Sequence, residues 1–589
     1  MKKTNNVKDT RLRRLRLLLM TALLLVSHAS VAKLNVDVRI EGVSGELLNN
    51  VRTYLSVEQQ KSDPYLTPER LRRLNHKADE QIKQALQPFG YYHPVINKAL
   101  KQENGQWTAT YDIQPGRPVR IRTVDLTLTG QGAQDPEFQR LLQSFPLRRG
   151  DILNQQDYSK AKSRFQSLAL ERGYFDFQFT RHKIQVDMAA NTAIITLHMD
   201  SGPRHRFGAV TFKQDFLKDS LLQRFVPFKP GDPYSMNKLL SLQGTLANTD
   251  YFSSIDVKTL KDHPKGLQVP IQVDVKPSPR NHYTAGIGYG TDTGARGTLG
   301  WDIRHINRRG HHMQNTLQLS ELQDAFSSRY VIPIRDPRTD SFSVNSSLSR
   351  INTVTSQSKV FSAGPSVTIG LHSGWLQTAY INFQREVYTV DGQSGTANML
   401  IPGITWTRID AKDRIYTRHG SKISLDVKGA PQVLFSDISF VQALLQGKLI
   451  RGIGPSGRVI LRGDLGLTSV GDFSRLPATL RFFSGGAQSV RGYAYDSLGA
   501  KNSSGQVIGG AQLVVGSIEY DHKIVGKWSA GVFYDIGNAI VNFSTPLKQG
   551  AGFGIRWRSP VGMLRFDIAW ALSTPGTPIH LHFNMGPDL

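Results

Sequence analysis

The last 300 or so residues of the chain alternate between apolar and polar side chains with a period of two. Apolar residues alternate with residues that include Arg, Lys, Asp or His in the runs 423–427, 459–467, 564–570 and 579–585. A period of two is typical of β-strands. A soluble sandwich seldom places Arg and Asp together on its second face, whereas a transmembrane barrel turns an apolar face to lipid and a polar face to a wet lumen. The pattern therefore predicts an all-β transmembrane barrel over 279–589.

The number of alternating runs predicts the size of this barrel. We count 16 strands, spaced near 19 residues. An even number returns the chain to the side of the membrane from which it entered, and a barrel of this size can hold water. No run after the first 32 residues reaches 18 consecutive apolar residues, so the sequence predicts no membrane-spanning helix.

The region before the barrel mixes helical and strand periods and repeats itself three times. Each unit is predicted to run strand, helix, helix, strand, strand. Gly90-Tyr91-Tyr92, Gly173-Tyr174-Phe175 and Asp250-Tyr251-Phe252 end the second helices, at spacings of 83 and 77 residues. A repeat of about 80 residues is a small domain. We predict three α+β domains over 33–117, 118–202 and 203–278, and interpret the aromatic landmarks as core residues.

The first 32 residues have the pattern of a secretory signal peptide. Seven basic residues precede the apolar run Leu17–Val26, and Ser30-Val31-Ala32 follows it. An uncleaved anchor is the alternative. The net charge of +25 could indicate nucleic acid, but no recognised nucleic-acid motif is present, and a secreted chain meets anionic lipid head groups instead. The chain has no cysteine, which excludes disulfides and thiolate metal sites.

One connection is much longer than the others. About 40 residues separate the strand ending near Val470 from the one starting near Gln512, and a loop of this length is usually functional or disordered. It contains the runs 481–486 (RFFSGG) and Val490-Arg491-Gly492-Tyr493. These motifs, the three repeats and the ending 586–589 (GPDL) resemble the superfamily of outer-membrane assembly and two-partner secretion proteins. In that superfamily POTRA (polypeptide-transport-associated) domains precede a barrel, and the likeness is to its translocation and assembly module branch.

This resemblance implies that the long loop lies inside the lumen with its arginine bonded to an acidic residue of a Phe-x-Asp pattern on the inner wall. Phe533-Tyr534-Asp535 matches that pattern. The alternation independently points Phe533 and Asp535 inward, and Glu519 inward from the preceding strand. Because a buried guanidinium needs a carboxylate partner, we predict that Arg491 pairs with Asp535, with Glu519 as a second candidate. The alternative is that Arg491 sits on a solvated loop tip.

The first and last strands of the barrel form a second candidate site. Gly286, Gly288 and Gly290 leave one face of the first strand, Tyr283–Gly290, almost without side chains, and Leu581 and Phe583 lie on the last strand. Glycine weakens a strand and permits close backbone approach. The resemblance implies a lateral seam here, where a client strand adds to the exposed edge by β-augmentation. The alternative is that the glycines mark a bulge or control curvature.

The resemblance implies an outer-membrane factor, with its POTRA domains in the periplasm, that assembles β-barrel proteins such as autotransporters. Its implied partners are the inner-membrane subunit of the translocation and assembly module, unfolded outer-membrane protein clients and outer-membrane lipids. A two-partner secretion transporter is the nearest alternative, although such proteins usually carry two repeats and a plug helix. A passive porin would not need the repeats.

No enzymatic activity, cofactor or metal site is expected from the sequence. The glycine run 286–290 opens no helix, so it is not a dinucleotide loop. His311 and His312 are adjacent and cannot face one way on a strand. His580 and His582 share the lumen face and could bind metal, but we interpret them as part of a polar wall.

Overall fold

The computed structural model describes residues 34–589 apart from 262, 263, 265, 391, 414, 543, 544 and 561. The predicted signal peptide lies outside the described residues. The chain forms two compact units: the first contains the residues up to Phe207 with 231–237 and 265–269, and the second contains the rest. Among the helices of the described residues, none is both long and apolar enough to cross a membrane.

The three repeats are small α/β modules, as predicted. In each one the last strand is central, giving sheet orders β1-β3-β2, β4-β6-β5 and β7-β9-β8. In the first two modules the opening strand is parallel to the central strand and the middle strand is antiparallel to it. The strands are β1 (Asn35–Glu41), β2 (Val95–Glu103), β3 (Gln106–Gln114), β4 (Arg120–Thr129), β5 (Gln178–Asp187), β6 (Thr192–Asp200), β7 (Arg206–Lys213), β8 (Phe252–Thr259) and β9 (Gln268–Pro277).

The helices of the modules lie between the opening strand and the middle strand. They are α1 (Gly45–Tyr54), α2 (Ser56–Gln60), α3 (Pro68–His76), α4 (Ala78–Leu86), α5 (Pro136–Gln143), α6 (Gln155–Arg172), α7 (Asp219–Leu222) and α8 (Met236–Ala247). Short 3₁₀ turns occur at Gln87–Phe89, Gln131–Gln134 and Gln223–Phe225. The first module therefore has two more short helices than the predicted order. The limits of the three domains given above stay a prediction.

Helix α6 shows how the sequence builds these modules. Asn154 caps its start by accepting hydrogen bonds from two backbone N–H groups of the first turn. Gly173 ends it with φ of 84°, a left-handed conformation that favours glycine. Its inward face carries Phe165, which is fully buried in the core of the second module beside Ala161. The aromatic landmark Tyr174 belongs to the same core, as interpreted from the sequence.

The rest of the chain is one antiparallel sheet of 16 strands in chain order, which confirms the predicted fold class. Its strands are β10 (Asn281–Gly290), β11 (Gly294–Ile303), β12 (His312–Ser320), β13 (Gln323–Pro333), β14 (Ser341–Asn352), β15 (Ser356–Gly370), β16 (Trp375–Val390), β17 (Gln393–Ala411), β18 (His419–Ala430), β19 (Phe440–Ile453), β20 (Gly457–Val470), β23 (Gln512–Val525), β24 (Trp528–Ile540), β25 (Lys548–Ser559), β26 (Gly562–Ala571) and β27 (Ile579–Gly586). The short pair β21 (Ala500–Lys501) and β22 (Val507–Gly509) lies within the long connection. Short 3₁₀ turns occur at His372–Gly374, Gln432–Leu434, Phe473–Arg475 and Ala478–Leu480.

The two faces of this sheet differ as the alternation predicts. On β24, Val532 is 57% exposed on the outer face, whereas Phe533 and Asp535 are buried on the inner face. On β23, Ile518 is exposed and Glu519 is buried. On these two strands the outer face is therefore apolar, and the inner face carries the charges.

The third module is attached to one rim of the barrel. The backbone N–H of Lys218 donates to the carbonyl of Arg308 at 2.8 Å, and the Tyr251 hydroxyl donates to the carbonyl of Gly310 at 2.5 Å. Arg308 and Gly310 belong to the turn between β11 and β12. We call this end of the barrel the module-side rim. The opposite end, which carries the connection 471–511, is called the loop-side rim.

Candidate functional site

The connection 471–511, which we call the luminal loop, packs against the inner face of the barrel. Its first part carries Leu476, Ala478 and Leu480, which join an apolar cluster with residues of β16, β17 and β19. The N–H of Thr479 donates to the buried carboxylate of Glu386 at 3.1 Å. The wall residues of the cluster are Tyr388, Val390, Ala397, Met399, Ile401 and Phe440, with Ala430 and Ile438 beside them. The start of the loop is thus seated on the wall far from the seam.

The tip of the luminal loop is fastened to the wall on the seam side by Arg491. Its guanidinium donates to Asp535 through Nε at 2.7 Å and Nη2 at 2.9 Å, and to Glu519 through Nη1 at 2.7 Å. The backbone N–H of Arg491 also donates to Asp535, at 3.0 Å. The guanidinium carbon lies 3.4 Å from the centre of the Phe533 ring. The structure therefore places all four predicted residues together, and it places Arg491 on the wall rather than on a solvated tip.

A second arginine extends this cluster along the wall. Arg556, fully buried on β25, donates to Glu519 at 2.9 Å and to Asp567 at 2.5 Å, and its Nε lies 3.3 Å from Asp521. Asp567 also accepts from Arg491 at 3.3 Å. Each buried guanidinium is thus shared between carboxylates of different strands. Such charges are tolerated away from water only when they are paired in this way.

The end of the chain continues the same network. Asp588, which is 1% exposed, accepts from Arg458 Nη1 at 2.5 Å and from the N–H of Thr417 at 2.9 Å. Arg565 donates to it as well. Arg458 in turn donates to Asp521 at 2.9 Å. Ion pairs therefore run from the loop tip at Arg491 to residue 588, and they hold the last residues against the inner face.

The other residues of the Val-Arg-Gly-Tyr motif have steric and packing roles. Gly492 has φ of 95°, and a Cβ there would lie 2.8 Å from the carbonyl oxygen of Trp570, so the close approach requires glycine. Its N–H donates to His582 Nε2 at 2.9 Å. Tyr493 donates to the carbonyl of Gln549 at 3.2 Å, and Val490 is fully buried beside it. The motif thus fits the loop tip to β25, β26 and β27.

The histidines on the last strand are part of this fit. The rings of His580 and His582 are 6.4 Å apart, and His582 accepts the N–H of Gly492. His582 therefore has a structural partner in the motif. Within the described residues, no group of three or more His, Asp or Glu side chains is placed to hold a metal ion.

The seam between β10 and β27 is joined by very few hydrogen bonds. Among the described residues, one backbone pair crosses it: the N–H of Thr291 donates to the carbonyl of Phe583 at 3.1 Å. Side-chain bonds add little, with Phe583 N–H donating to the Thr291 hydroxyl at 3.2 Å and Arg296 donating to the Met585 carbonyl at 3.4 Å. The rings of Tyr289 and Phe583 lie 6.2 Å apart. All these contacts lie at the loop-side end of β10.

The seam glycines are placed differently from one another. A Cβ on Gly286 would meet no atom within 4 Å, one on Gly288 would approach the Arg296 side chain, and one on Gly290 would lie 3.6 Å from the Phe583 carbonyl. Ile287 is 91% exposed and Leu581 56% exposed on the outer face. Only Gly290 and Phe583 of the predicted seam residues therefore lie against the opposite strand. The module-side half of β10 presents a free edge.

Sequence reasoning identified the centre of this site but missed most of its surroundings. Arg556, Asp567, Asp521, Arg458 and Asp588 were not predicted. For the first four, the inward-facing positions on their strands were a usable signal, because charged residues on the lumen face of neighbouring strands must find partners. The apolar base of the luminal loop was also missed, since only the barrel register shows which wall residues it covers.

Family models match most of the chain. A model described as the Omp85 superfamily domain matches residues 306–588. A model for POTRA domain TamA domain 1 matches 37–115, and a POTRA model described as surface antigen variable number repeat matches 125–202 and 205–278. The outer membrane protein assembly factor BamA of Nitratidesulfovibrio vulgaris is 24% identical over 386 residues, covering 60% of this chain and 47% of that protein. The chain thus spans about half the length of this curated relative.

Solved structures are similar to this fold. The crystal structure of BamA from Haemophilus ducreyi lacking POTRA domains 1–3 has a TM-score of 0.66 at 16% identity, covering 79% of this chain and 99% of that chain. CdiB from Acinetobacter baumannii has a TM-score of 0.44 at 14% identity, covering 90% and 98%. The TM-score of the BamA structure shows a common fold, whereas that of CdiB is too low to show one.

Proposed function

This chain is a POTRA-plus-barrel protein of the Omp85 superfamily, located in the outer membrane with its POTRA domains in the periplasm, and from that premise we propose that it assembles outer-membrane proteins. A client strand pairs with the free edge of β10 and enters the membrane through the seam between β10 and β27. The clients are unfolded β-barrel proteins such as autotransporters. The partner is the inner-membrane subunit of a translocation and assembly module, a TamB-like chain.

The seam is the observation that carries this proposal. One backbone hydrogen bond crosses it among the described residues, whereas every other pair of neighbouring barrel strands forms a ladder. A backbone N–H or C=O left unpaired in lipid costs several kcal/mol, so the exposed edge of β10 favours any segment that can pair with it. An unfolded client strand supplies such groups along its whole length. The free edge therefore supports pairing with an extended chain.

The POTRA domains offer the same chemistry in the periplasm. In the first two domains the central strand is covered on both sides, which leaves an opening strand and a middle strand at the edges. The middle strands β2 and β5 are antiparallel edges at which an extended segment can be added. We propose that these edges hold client segments before they reach the barrel.

The Arg491 cluster has a supporting role in this proposal. It fixes the loop tip on β23–β26 and so keeps one side of the seam rigid while β10 exchanges partners. Val490, Gly492 and Tyr493 position the loop, and Asp535, Glu519 and Phe533 receive it. No step of this function requires a cofactor or a catalytic residue.

Site-specific photo-crosslinking in cells tests the proposal. Probes replace Gly288 and Phe583 on the two sides of the seam while a client barrel is stalled during assembly. A matched probe replaces Leu445, which is 40% exposed on the outer face of β19, far from the seam. We expect client crosslinks from both seam positions and none from position 445.

A different outcome would favour the second function weighed from the sequence. Crosslinks from lumen positions to a soluble exported chain, with none at the seam, would indicate a two-partner secretion transporter. Equal crosslinking at positions 445, 288 and 583 would contradict a specific seam.

A further inference from the structure

Three basic side chains lie side by side on the outer face of the barrel near the loop-side rim. Arg350 is on β14, Lys359 on β15 and Arg385 on β16, and all three are exposed. Arg350 stands directly opposite Lys359 across the β14–β15 pair. Arg385 stands opposite Phe361, the next outward residue of β15 after Lys359. The three cations thus come from three consecutive strands of one wall.

The neighbours of these cations show that they face lipid. Leu348, Phe361, Phe383 and Val387 lie two residues from one of them on the same strands and are 57%, 39%, 42% and 45% exposed. Side chains two residues apart on a strand share a face. Leu348, Phe361 and Phe383 lie on the side of the cations toward the middle of the barrel, whereas Val387 lies between Arg385 and the loop-side rim. The cations therefore stand at the edge of the apolar belt.

The charges of this patch are only partly balanced by the protein, because one carboxylate accompanies the three cations. Asp324 is the carboxylate opposite Arg350 on β13, but among the described residues no ion pair joins it to any of the three cations. Its Oδ1 instead accepts from the N–H of Ser320 at 3.4 Å. Like charges directly opposite each other on a sheet are destabilising. The pair of Arg350 and Lys359 therefore favours an external anion between them.

The same residues line a shallow groove with a volume of about 470 Å³. The three cations, Asp324 and Ser349 supply its polar part. Its remaining lining is mainly apolar, including Phe326, Leu348 and Phe361. A ligand that fits this arrangement has an anionic head beside apolar chains.

We propose that this groove binds a phosphorylated amphiphile of the outer leaflet. Because the POTRA domains are periplasmic, the loop-side rim lies at the outer surface of the membrane. The phosphate groups of the head are held by Arg350, Lys359 and Arg385, since guanidinium and ammonium groups donate strong hydrogen bonds to phosphate oxygens. The acyl chains lie on Phe361 and Leu348. This site is on the wall of β13–β16, away from the seam, and it goes beyond the proposed assembly function.

Native mass spectrometry of the full-length protein in detergent, titrated with bis-phosphorylated lipid A, tests this site. The variant carries Arg350→Gln, Lys359→Gln and Arg385→Gln together. A matched control removes three exposed cations from the POTRA domains, through Lys101→Gln, Arg122→Gln and Arg149→Gln. We expect the first variant to bind at least about tenfold more weakly than the wild-type protein, because each cation near an anionic lipid surface adds to affinity. We expect the control to bind like the wild type.

Two further ligands distinguish binding of the phosphorylated lipid from binding of the lipid part alone or of phosphate alone. Dephosphorylated lipid A is expected to bind at least about tenfold more weakly to the wild-type protein, and inorganic phosphate at the same concentration is not expected to displace lipid A. Equal binding by the triple variant, an equal loss in the control, equal binding of dephosphorylated lipid A, or displacement by inorganic phosphate would each overturn the proposal. None of these measurements depends on client assembly.

Discussion

The seam and the wall beside it are built from neighbouring strands but are held by very different forces. Between β10 and β27, one backbone hydrogen bond from Thr291 to Phe583 joins the strands among the described residues. Between β23 and β24, the ladder runs from the Gln512–Ile540 pair to the Val525–Trp528 pair, and buried ion pairs cross its inner face. The sheet therefore has a weakly joined seam and a strongly joined wall a few strands apart.

This difference means that one part of the sheet is held rigidly while another part has an accessible edge. The Arg491 cluster and the buried end of the chain hold β23–β26 in one arrangement, because breaking a buried ion pair leaves an uncompensated charge. Among the described residues, no ion pair joins β10 itself to β27 or to the luminal loop, although Asp292 in the turn after β10 accepts from the N–H of Ala487 at 2.8 Å. Under the proposed function, a barrel that stays closed on most sides while one side accepts a client strand needs this distribution of bonds.

The substitution Arg491→Ala has the largest expected effect on the wall. It leaves Asp535 and Glu519 buried without their main partner, so we expect the free energy of unfolding to fall by about 3–5 kcal/mol. The loop tip should also be released from the wall. Urea unfolding and proteinase K digestion of the luminal loop measure the two effects. Lys501→Ala, at an exposed position of the same loop, is the control, and wild-type protease resistance in the Arg491 variant would contradict the assigned role.

Asp588→Asn tests whether the end of the chain is part of the rigid wall. The variant weakens the bonds from Arg458 and Arg565, and we expect a loss of about 1–3 kcal/mol and release of the last residues. The chain has no cysteine, so Leu589→Cys reports accessibility through its rate of maleimide labelling. Labelling should be faster when Asp588→Asn is added and unchanged when Asp472→Asn is added instead. Equal labelling rates in all three proteins would show that Asp588 does not hold the tail.

A pair of glycine substitutions compares the packing of the two regions. A Cβ on Gly550 would lie 1.9 Å from the carbonyl oxygen of Arg491, whereas one on Gly286 would meet nothing within 4 Å. We expect Gly550→Ala to lower the free energy of unfolding by about 1–3 kcal/mol and Gly286→Ala to change it by less than about 0.5 kcal/mol. Urea unfolding of both variants measures the difference. Equal losses would mean that the seam face is packed as tightly as the wall.

The fold could be predicted from the sequence because lipid and water impose a simple pattern on a barrel. The alternation that makes Val532 exposed and Asp535 buried is local, so it is visible without a partner strand. The repeats were visible for a similar reason, since Gly90 and Gly173 end helices at equivalent places. Boundaries were less accurate: β10 begins at Asn281, two residues before the predicted start.

The site was only partly predictable because its contacts join distant strands. Arg491 and Asp535 were paired through a family motif and the phase of one strand. Arg556 and Asp567 share no motif, and their meeting depends on the register between β25 and β26. Asp588 contributed to the family resemblance, but its bond to Arg458 spans 130 residues and follows only from the closed sheet.

A covalent lock across the seam tests the central claim most directly. Thr291→Cys and Phe583→Cys place two thiols at the hydrogen-bonded position of the seam, and Gly447→Cys with Gly463→Cys places two at opposed positions of β19 and β20. Both pairs are bridged by oxidation or a short bifunctional thiol reagent, and assembly of a client barrel is measured before and after reduction. We expect bridging of the seam to lower assembly at least about tenfold, because the edge of β10 must be freed, and we expect reduction of the disulfide to restore it. Bridging β19 to β20 should have no effect. Full assembly by the protein with the bridged seam would contradict the proposed role of the seam.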